Sequence, residues 1–340
     1  MGNIVYVERE ALEHPRTQTI LARYKHSHVQ VVERYGEIFN GHNQNFRVQK
    51  QNPALVLALK RNKFVHSTPP QYETGGGEHY YFSHMLNCLY DCRYCFLQGM
   101  FKSAHYLLFV NYEEFIAEIQ RIAEQHAHNN KPTWFFSGYD CDSLAFEPIT
   151  KFADFFIDAF SHIPNAVLEL RTKSTQIRPL LKRSATNNVV VAASLSPASV
   201  AEALEHGAPS LAKRLQALAS LQQHGWRIGI RFDPIIWHKN YQAHYQELVE
   251  QVFSSLDGGL IDSVTLGGFR VPKDFFKTMY GLYPEEALFN IGLEQRDAMV
   301  TYRSEVQTQT LGFVQDCCAQ YIDAKKIYSY DSNSQEVVGG

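Results

Sequence analysis

Residues 78–98 read EHYYFSHMLNCLYDCRYCFLQ. The opening part, His79–Met85, is short, aromatic and apolar, the composition of a strand. The next part sets Cys88, Cys92 and Cys95 in a C-x3-C-x2-C spacing. A loop that leaves a strand with three thiols in eight residues suits a soft metal centre. On a four-iron, four-sulfur cube three cysteines leave one iron without a protein ligand, open to a small molecule. Zinc would need a fourth ligand, and His84 or His79 could supply it. Asp91 and Arg93 read as solvated loop charges.

Downstream the chain alternates strand and helix. Candidate strands are Thr133–Tyr139, Val167–Thr172, Val189–Ser194, Arg227–Phe232 and Ser263–Gly268. Helical patterns at Tyr112–His126, Thr150–Ser161, Ser210–His224 and Tyr241–Leu256 lie between most of them. Short Val/Ile/Phe-rich strands joined by helices predict a parallel sheet of right-handed βαβ units. Six strands predict an α/β partial (β/α)6 TIM-type barrel rather than a closed eightfold one. Asp140-Cys141-Asp142, Lys173-Ser174, Ser194 and Asp233 fall at strand ends, where such barrels carry their active face.

Residues 1–77 read as an N-terminal extension with a strand at Ile4–Val7, helix over Thr17–Tyr35 and an apolar segment at Ala54–Leu59. Pro69-Pro70 and Gly75-Gly76-Gly77 punctuate its end. The partial barrel spans 78–275 and a C-terminal segment 276–340, whose tail from Tyr328 is polar and expected to be mobile.

The 340 residues are 45% hydrophobic and 20% charged, which predicts a globular fold. A net charge of −3 announces no nucleic-acid binding by itself. Lys60-Arg61-Asn62-Lys63, Lys182-Arg183 and Arg270-Val271-Pro272-Lys273 are local basic groups. The start, MGNIVYVEREALEHP, has no apolar signal core, and Tyr6 stands where a myristoylation motif wants Ser or Thr. No apolar run reaches the ~18 residues of a membrane span. A cytoplasmic protein without a membrane partner is expected. The 15 histidines show no protease or zinc-finger spacing, and there is no P-loop. Cys317-Cys318 read as structural.

The cysteine loop, with Tyr94 before the last cysteine, resembles the signature of the radical S-adenosylmethionine (SAM) superfamily. Val5-Tyr6-Val7-Glu8, Cys92–Gln98, Thr172-Lys173, Ser194, and Gly207–Leu211 with Arg214-Leu215 resemble the spore photoproduct lyase family. That resemblance implies a [4Fe–4S] cluster on Cys88, Cys92 and Cys95, and SAM bound by Lys173, Ser194 and the Ser137-Gly138 backbone. It implies reductive cleavage of SAM to a 5′-deoxyadenosyl radical, a lyase activity in DNA repair on a thymine dimer, DNA as partner, and a reductant such as flavodoxin or ferredoxin.

Two positions depart from the family. Its hydrogen-donating cysteine, counted from Asp142, falls on Tyr139, with Cys141 two residues on. Its tyrosine after the last cluster cysteine is Phe96, which has no O–H. Cys141, Tyr94 and Tyr139 are the catalytic candidates. The family's C-terminal hairpin is not recognisable in the sequence, and Tyr302-Arg303 is the nearest candidate. Two alternatives remain: a radical SAM enzyme on another substrate, and a non-catalytic Fe–S or zinc protein that binds nucleic acid.

Overall fold

The six expected strands are all present: β1 His79–Phe82, β2 Thr133–Ser137, β3 Ala166–Thr172, β4 Val189–Ser194, β5 Arg227–Ile235 and β6 Ile261–Gly268. The computed structural model describes residues 4–69, 77–128 and 131–330. The strands lie side by side in chain order, and every neighbouring pair is parallel. Val189, Val190 and Val191 are fully buried, as a parallel sheet covered on both faces requires. His66–Ser67 pairs antiparallel with β1 and closes that edge.

Helices α1 Tyr112–Gln125, α2 Phe152–Ser161, α3 Leu211–Gln223, α4 Tyr241–Ser255 and α5 Ser304–Ala319 carry most of the crossovers. In α1, Phe115, Ile119 and Ile122 recur at helical spacing and are buried against the sheet. Ser210 caps α3 by accepting from the Lys213 N–H at 3.5 Å. The architecture is the expected partial TIM-type barrel.

A seventh parallel strand, β7 Ile327–Tyr330, joins the outer side of β6, with Val264 opposite Ile327. The expectation of a mobile tail therefore fails at Tyr328–Tyr330. The rest of that tail, and Pro70, Gly75 and Gly76 of the punctuation, lie outside the described residues.

A second sheet has the order His28–Val32, Ile4–Glu8, Leu55–Ala58, Tyr106–Phe109 and Met85–Leu86. Two of these strands follow position 77. The helix expected over Thr17–Tyr35 is corrected: it runs only over Pro15–Leu21, and His28–Val32 is a strand parallel to Ile4–Glu8. The β-branched Val29, Val31 and Val32 lose side-chain freedom in a helix, and a distant partner strand was on offer. Among the described residues no helix is long and apolar enough to cross a membrane.

Candidate active site

A cavity of about 500 Å³ opens at the C-terminal ends of the barrel strands. Phe136, Ser137 and Gly138 come from the end of β2, Arg171–Lys173 from β3, Ser194 from β4, Asp233 and Pro234 from β5, and Gly268 from β6. The opposite wall is the cysteine loop. All ten residues singled out above line this one cavity: Cys88, Cys92, Cys95, Tyr94, Ser137, Gly138, Tyr139, Cys141, Lys173 and Ser194.

The loop is shaped by anchors on both sides. Asn87 takes a left-handed conformation (φ 69°), and its amide donates to the carbonyls of Ser103 and His105, both at 2.7 Å. Asp91-Cys92 pairs antiparallel with Glu205-His206, and the Arg93 N–H donates to the Leu204 carbonyl at 2.8 Å. Asp91 and Arg93 are not merely solvated. Asp91 is paired with Lys50 and with Arg93 (2.6 Å), and Arg93 also reaches Glu286 at 3.1 Å.

The three thiols are free; Cys92 is buried, and Cys88 and Cys95 are partly buried. Burial pushes each thiol up, Cys92 to about 12, with Glu205 adding to the effect and Lys173 opposing it. Buried thiolates therefore need a cationic centre, and three sulfurs on one cavity wall fit an iron–sulfur cluster. The Tyr90 N–H donates to Cys88 Sγ at 3.4 Å, and the Leu97 N–H bonds Cys95. Neither histidine considered as a fourth zinc ligand lines this cavity. His79 stacks on Phe136 and bonds the Gly77 carbonyl, while His84 stacks on Phe152. Among the described residues no three His, Cys, Asp or Glu side chains are set to hold a single ion.

Opposite the loop, Asp142 ties the ends of β2 and β3 together. It accepts from the backbone N–H groups of Leu144 and Ala145 (2.9 Å each) and Lys173 (2.6 Å), and from the Thr172 hydroxyl at 2.6 Å. This fixes Lys173 at the cavity wall. Burial works against the Lys173 charge, but Cys92 and Glu205 hold it above its ordinary value. Ser137 spends its hydroxyl on the Glu169 carbonyl (3.0 Å) and on Ser143 (2.7 Å). Gly138 has φ 81°, and a Cβ there would stand 2.6 Å from Ser143 Oγ and 2.8 Å from the Arg171 carbonyl.

The three catalytic candidates differ in setting. Tyr94 is buried, with its hydroxyl donating to Glu205. Tyr139 packs on Tyr81, ring centroids 4.4 Å apart, and on Phe96 at 5.3 Å. Cys141 is 6% exposed, and its sulfur lies 3.9 Å from His84 Nδ1. Burial, then Asp140 and Asp142, push its thiol well above the ordinary value.

The sequence reading missed several polar parts of the site. Glu205 and Arg214 form a fully buried ion pair, and Ser196 adds a hydrogen bond to Glu205 at 2.9 Å. Glu169 accepts from Arg231 (2.7 and 3.1 Å) and Arg171 (2.7 Å) inside the barrel. Although burial favours the neutral acid, these two guanidinium groups push Glu169 down to about 2. Arg270 grips Asp233 through both carboxylate oxygens, at 3.0 and 3.1 Å. Arg61 and Arg183 of the basic groups are paired with Glu8 and Asp154. A hairpin of Leu293–Arg296 and Met299–Tyr302 pairs with Arg270–Pro272, and Met299 and Pro272 line the cavity. Its turn carries no glycine; Asp297 supplies the left-handed residue (φ 52°), a weak signal in sequence. Tyr302, named as the nearest hairpin candidate, ends its second strand.

A parallel partial barrel whose first strand hands on to a C-x3-C-x2-C loop, facing a cavity at the strand ends, is the frame of the radical SAM enzymes. The chain belongs to the spore photoproduct lyase family, whose family model matches residues 1–291. Spore photoproduct lyase of Bacillus subtilis (strain 168) is 23% identical over 292 residues, 84% of this chain and 83% of that one. The enzyme of Geobacillus sp. (strain Y412MC61) gives the same identity and coverage. In the fold, a spore photoproduct lyase complexed with dinucleoside spore photoproduct matches with a TM-score of 0.83 at 19% identity, covering 97% of this chain and 98% of that one. A mutant of that lyase with bound AdoMet and dinucleoside spore photoproduct matches equally.

Proposed function

We propose that this protein repairs a thymine-dimer lesion in DNA. Cys88, Cys92 and Cys95 would hold a [4Fe–4S] cluster. When bound, that cluster supplies the electron that cleaves SAM to a 5′-deoxyadenosyl radical. Lys173 offers its cation to the SAM carboxylate, Ser194 offers a hydroxyl, and the Ser137-Gly138 backbone offers close approach. Cys141 returns a hydrogen atom to the product, with Tyr139 beside it on the same wall.

What supports this reading most is the meeting of the three thiols, Lys173, Gly138 and Cys141 around one cavity large enough for SAM and a substrate base. Six free cysteines suit the reducing cytoplasm, where flavodoxin or ferredoxin would serve as reductant.

A second substrate, RNA or a small molecule, is favoured by one observation. Phe96 replaces a tyrosine and the cysteine stands two residues along, so the hydrogen-return side differs from the family pattern. Anaerobic reconstitution tests both readings. The protein is expected to bind about four irons and to cleave SAM under reductant. Conversion of dinucleoside spore photoproduct to thymidines supports the DNA reading, and SAM cleavage without conversion supports the second. Purified protein that holds zinc and leaves SAM intact removes both.

A further inference from the structure

His84 entered as a possible zinc ligand, and the structure gives it another setting. The ring is 1% exposed, clamped flat against Phe152 with centroids 3.8 Å apart, and Tyr112 meets it edge-on. Nδ1 lies 3.9 Å from Cys141 Sγ. Nε2 is buried and has no hydrogen-bond partner. Among the described residues, the side chain within hydrogen-bonding reach of the imidazole is the Cys141 thiol.

The tautomer follows from the same facts. A proton on Nε2 would bury an N–H with nothing to receive it. A bare lone pair there costs less than an orphaned donor. The proton belongs on Nδ1, where it points at the sulfur. The Met85 backbone N–H is a second donor to that sulfur. Both donors sit on buried residues that do not line the cavity, while Cys141 does.

We infer that His84 is the positioning residue for the Cys141 hydrogen: its Nδ1–H holds the sulfur so that the S–H faces the substrate. The inference rests on Cys141 being the hydrogen donor, as proposed above. In the transfer the S–H bond breaks homolytically, a C–H bond forms on the product radical, and the unpaired electron passes to sulfur. One hydrogen atom moves and no charge does. A neutral imidazole suits that step, because the charge of an imidazolium would stabilise the thiolate, which has no hydrogen to give. Burial keeps His84 neutral, pushing it down to about 3.

The test reads the ratio of deuterium-labelled thymidine to 5′-deoxyadenosine in reconstituted enzyme turning over dinucleoside spore photoproduct in deuterium oxide. Cys141→Ala is expected to bring this ratio to background; if it does not, the donor assignment itself fails, and the role of His84 falls with it. His84→Phe keeps a flat ring without Nδ1–H, and the ratio should drop about fivefold, the worth of one hydrogen bond. It should also shift the infrared S–H stretching band that Cys141→Ala removes. With Cys141→Ala at background, an unchanged ratio and band in His84→Phe overturn the inference. Should His84→Phe not fold, His84→Asn and His84→Gln decide the matter. The Asn amide stands where Nδ1 stood and keeps the ratio, and the Gln amide stands near Nε2 and loses it. Equal ratios in those two overturn it.

Discussion

The Glu205 carboxylate and the Arg214 guanidinium form an ion pair with side chains 0% and 2% exposed, and the same carboxylate receives the hydroxyl of Tyr94, one residue from Cys95. Glu205 is also one strand partner of Cys92. A buried charge pair thus stands directly behind the cysteine loop and sets its seat. Burial favours the neutral acid, but Lys173 and Arg214 hold Glu205 below the usual carboxylate range.

Glu205→Gln keeps the shape and removes the charge, leaving Arg214 uncompensated. A loss of about 3 kcal/mol is expected, since breaking one side of a buried pair is costly. Urea unfolding measures it. The loop should also seat less iron per chain on reconstitution. A variant of wild-type stability and iron content would show that the pair is not what holds the loop.

Alanine at Cys88, Cys92 or Cys95 is expected to abolish SAM cleavage and to lower bound iron from about four per chain. Alanine at Cys317 or Cys318, both buried on α5 far along the chain, should leave the iron count unchanged. Colorimetric iron analysis of all five variants separates the two groups.

Tyr139→Phe removes the phenol hydroxyl of the ring that packs on Phe96 and keeps that ring's packing on Tyr81. If Cys141 alone returns the hydrogen, product formation per SAM cleaved stays within about twofold, the size of a weak contact. A collapse of that ratio would move the donor role to Tyr139.

Gly138→Ala forces a side chain into φ 81° and against Ser143 and the Arg171 carbonyl. The strain is worth about 2 kcal/mol. Because Gly138 lies on the cavity wall, the variant should also bind SAM more weakly, measurable by calorimetry. Unaltered stability and affinity would mean the turn has room that its geometry denies.

Burial pushes the Glu147 carboxyl up to about 7, against donation from the Ala153 N–H at 2.8 Å. The unfolded chain releases that proton near 4.5. The folded state binds more protons between the two values, so stability falls as pH rises from about 4.5 to about 7 and stays lower above. Glu147→Gln cannot ionise. It should match the wild type near pH 5 and exceed it by about 2 kcal/mol near pH 8. Thermal melts at the two pH values check this, and an equal difference at both would refute it.

The barrel was legible because its signals are local. Most strands are short runs rich in Val, Ile, Phe or Tyr, the main helices are periodic segments, and Ser210 announces the start of α3. The site was legible in its cysteine spacing and its strand-end residues, because strand order alone brings those ends together. What escaped depends on partners far apart in the chain. Glu169 meets Arg231 across 62 positions, and Asp91 gains meaning only when Lys50 folds over it. His28–Val32 reads as helix until Ile4–Glu8 is laid beside it, and the hairpin turn lacks the glycine that would have marked it.

β7 is synthesised after every other strand of its sheet. Until Ile327–Tyr330 leaves the ribosome, β6 presents a bare, hydrogen-bond-hungry edge, and the ring of Tyr330 is missing from beside Arg171 and Arg231. The nascent barrel is thus a sheet with one open margin for the whole of its translation. Chaperone demand and co-translational aggregation should centre on that margin rather than on the cysteine loop.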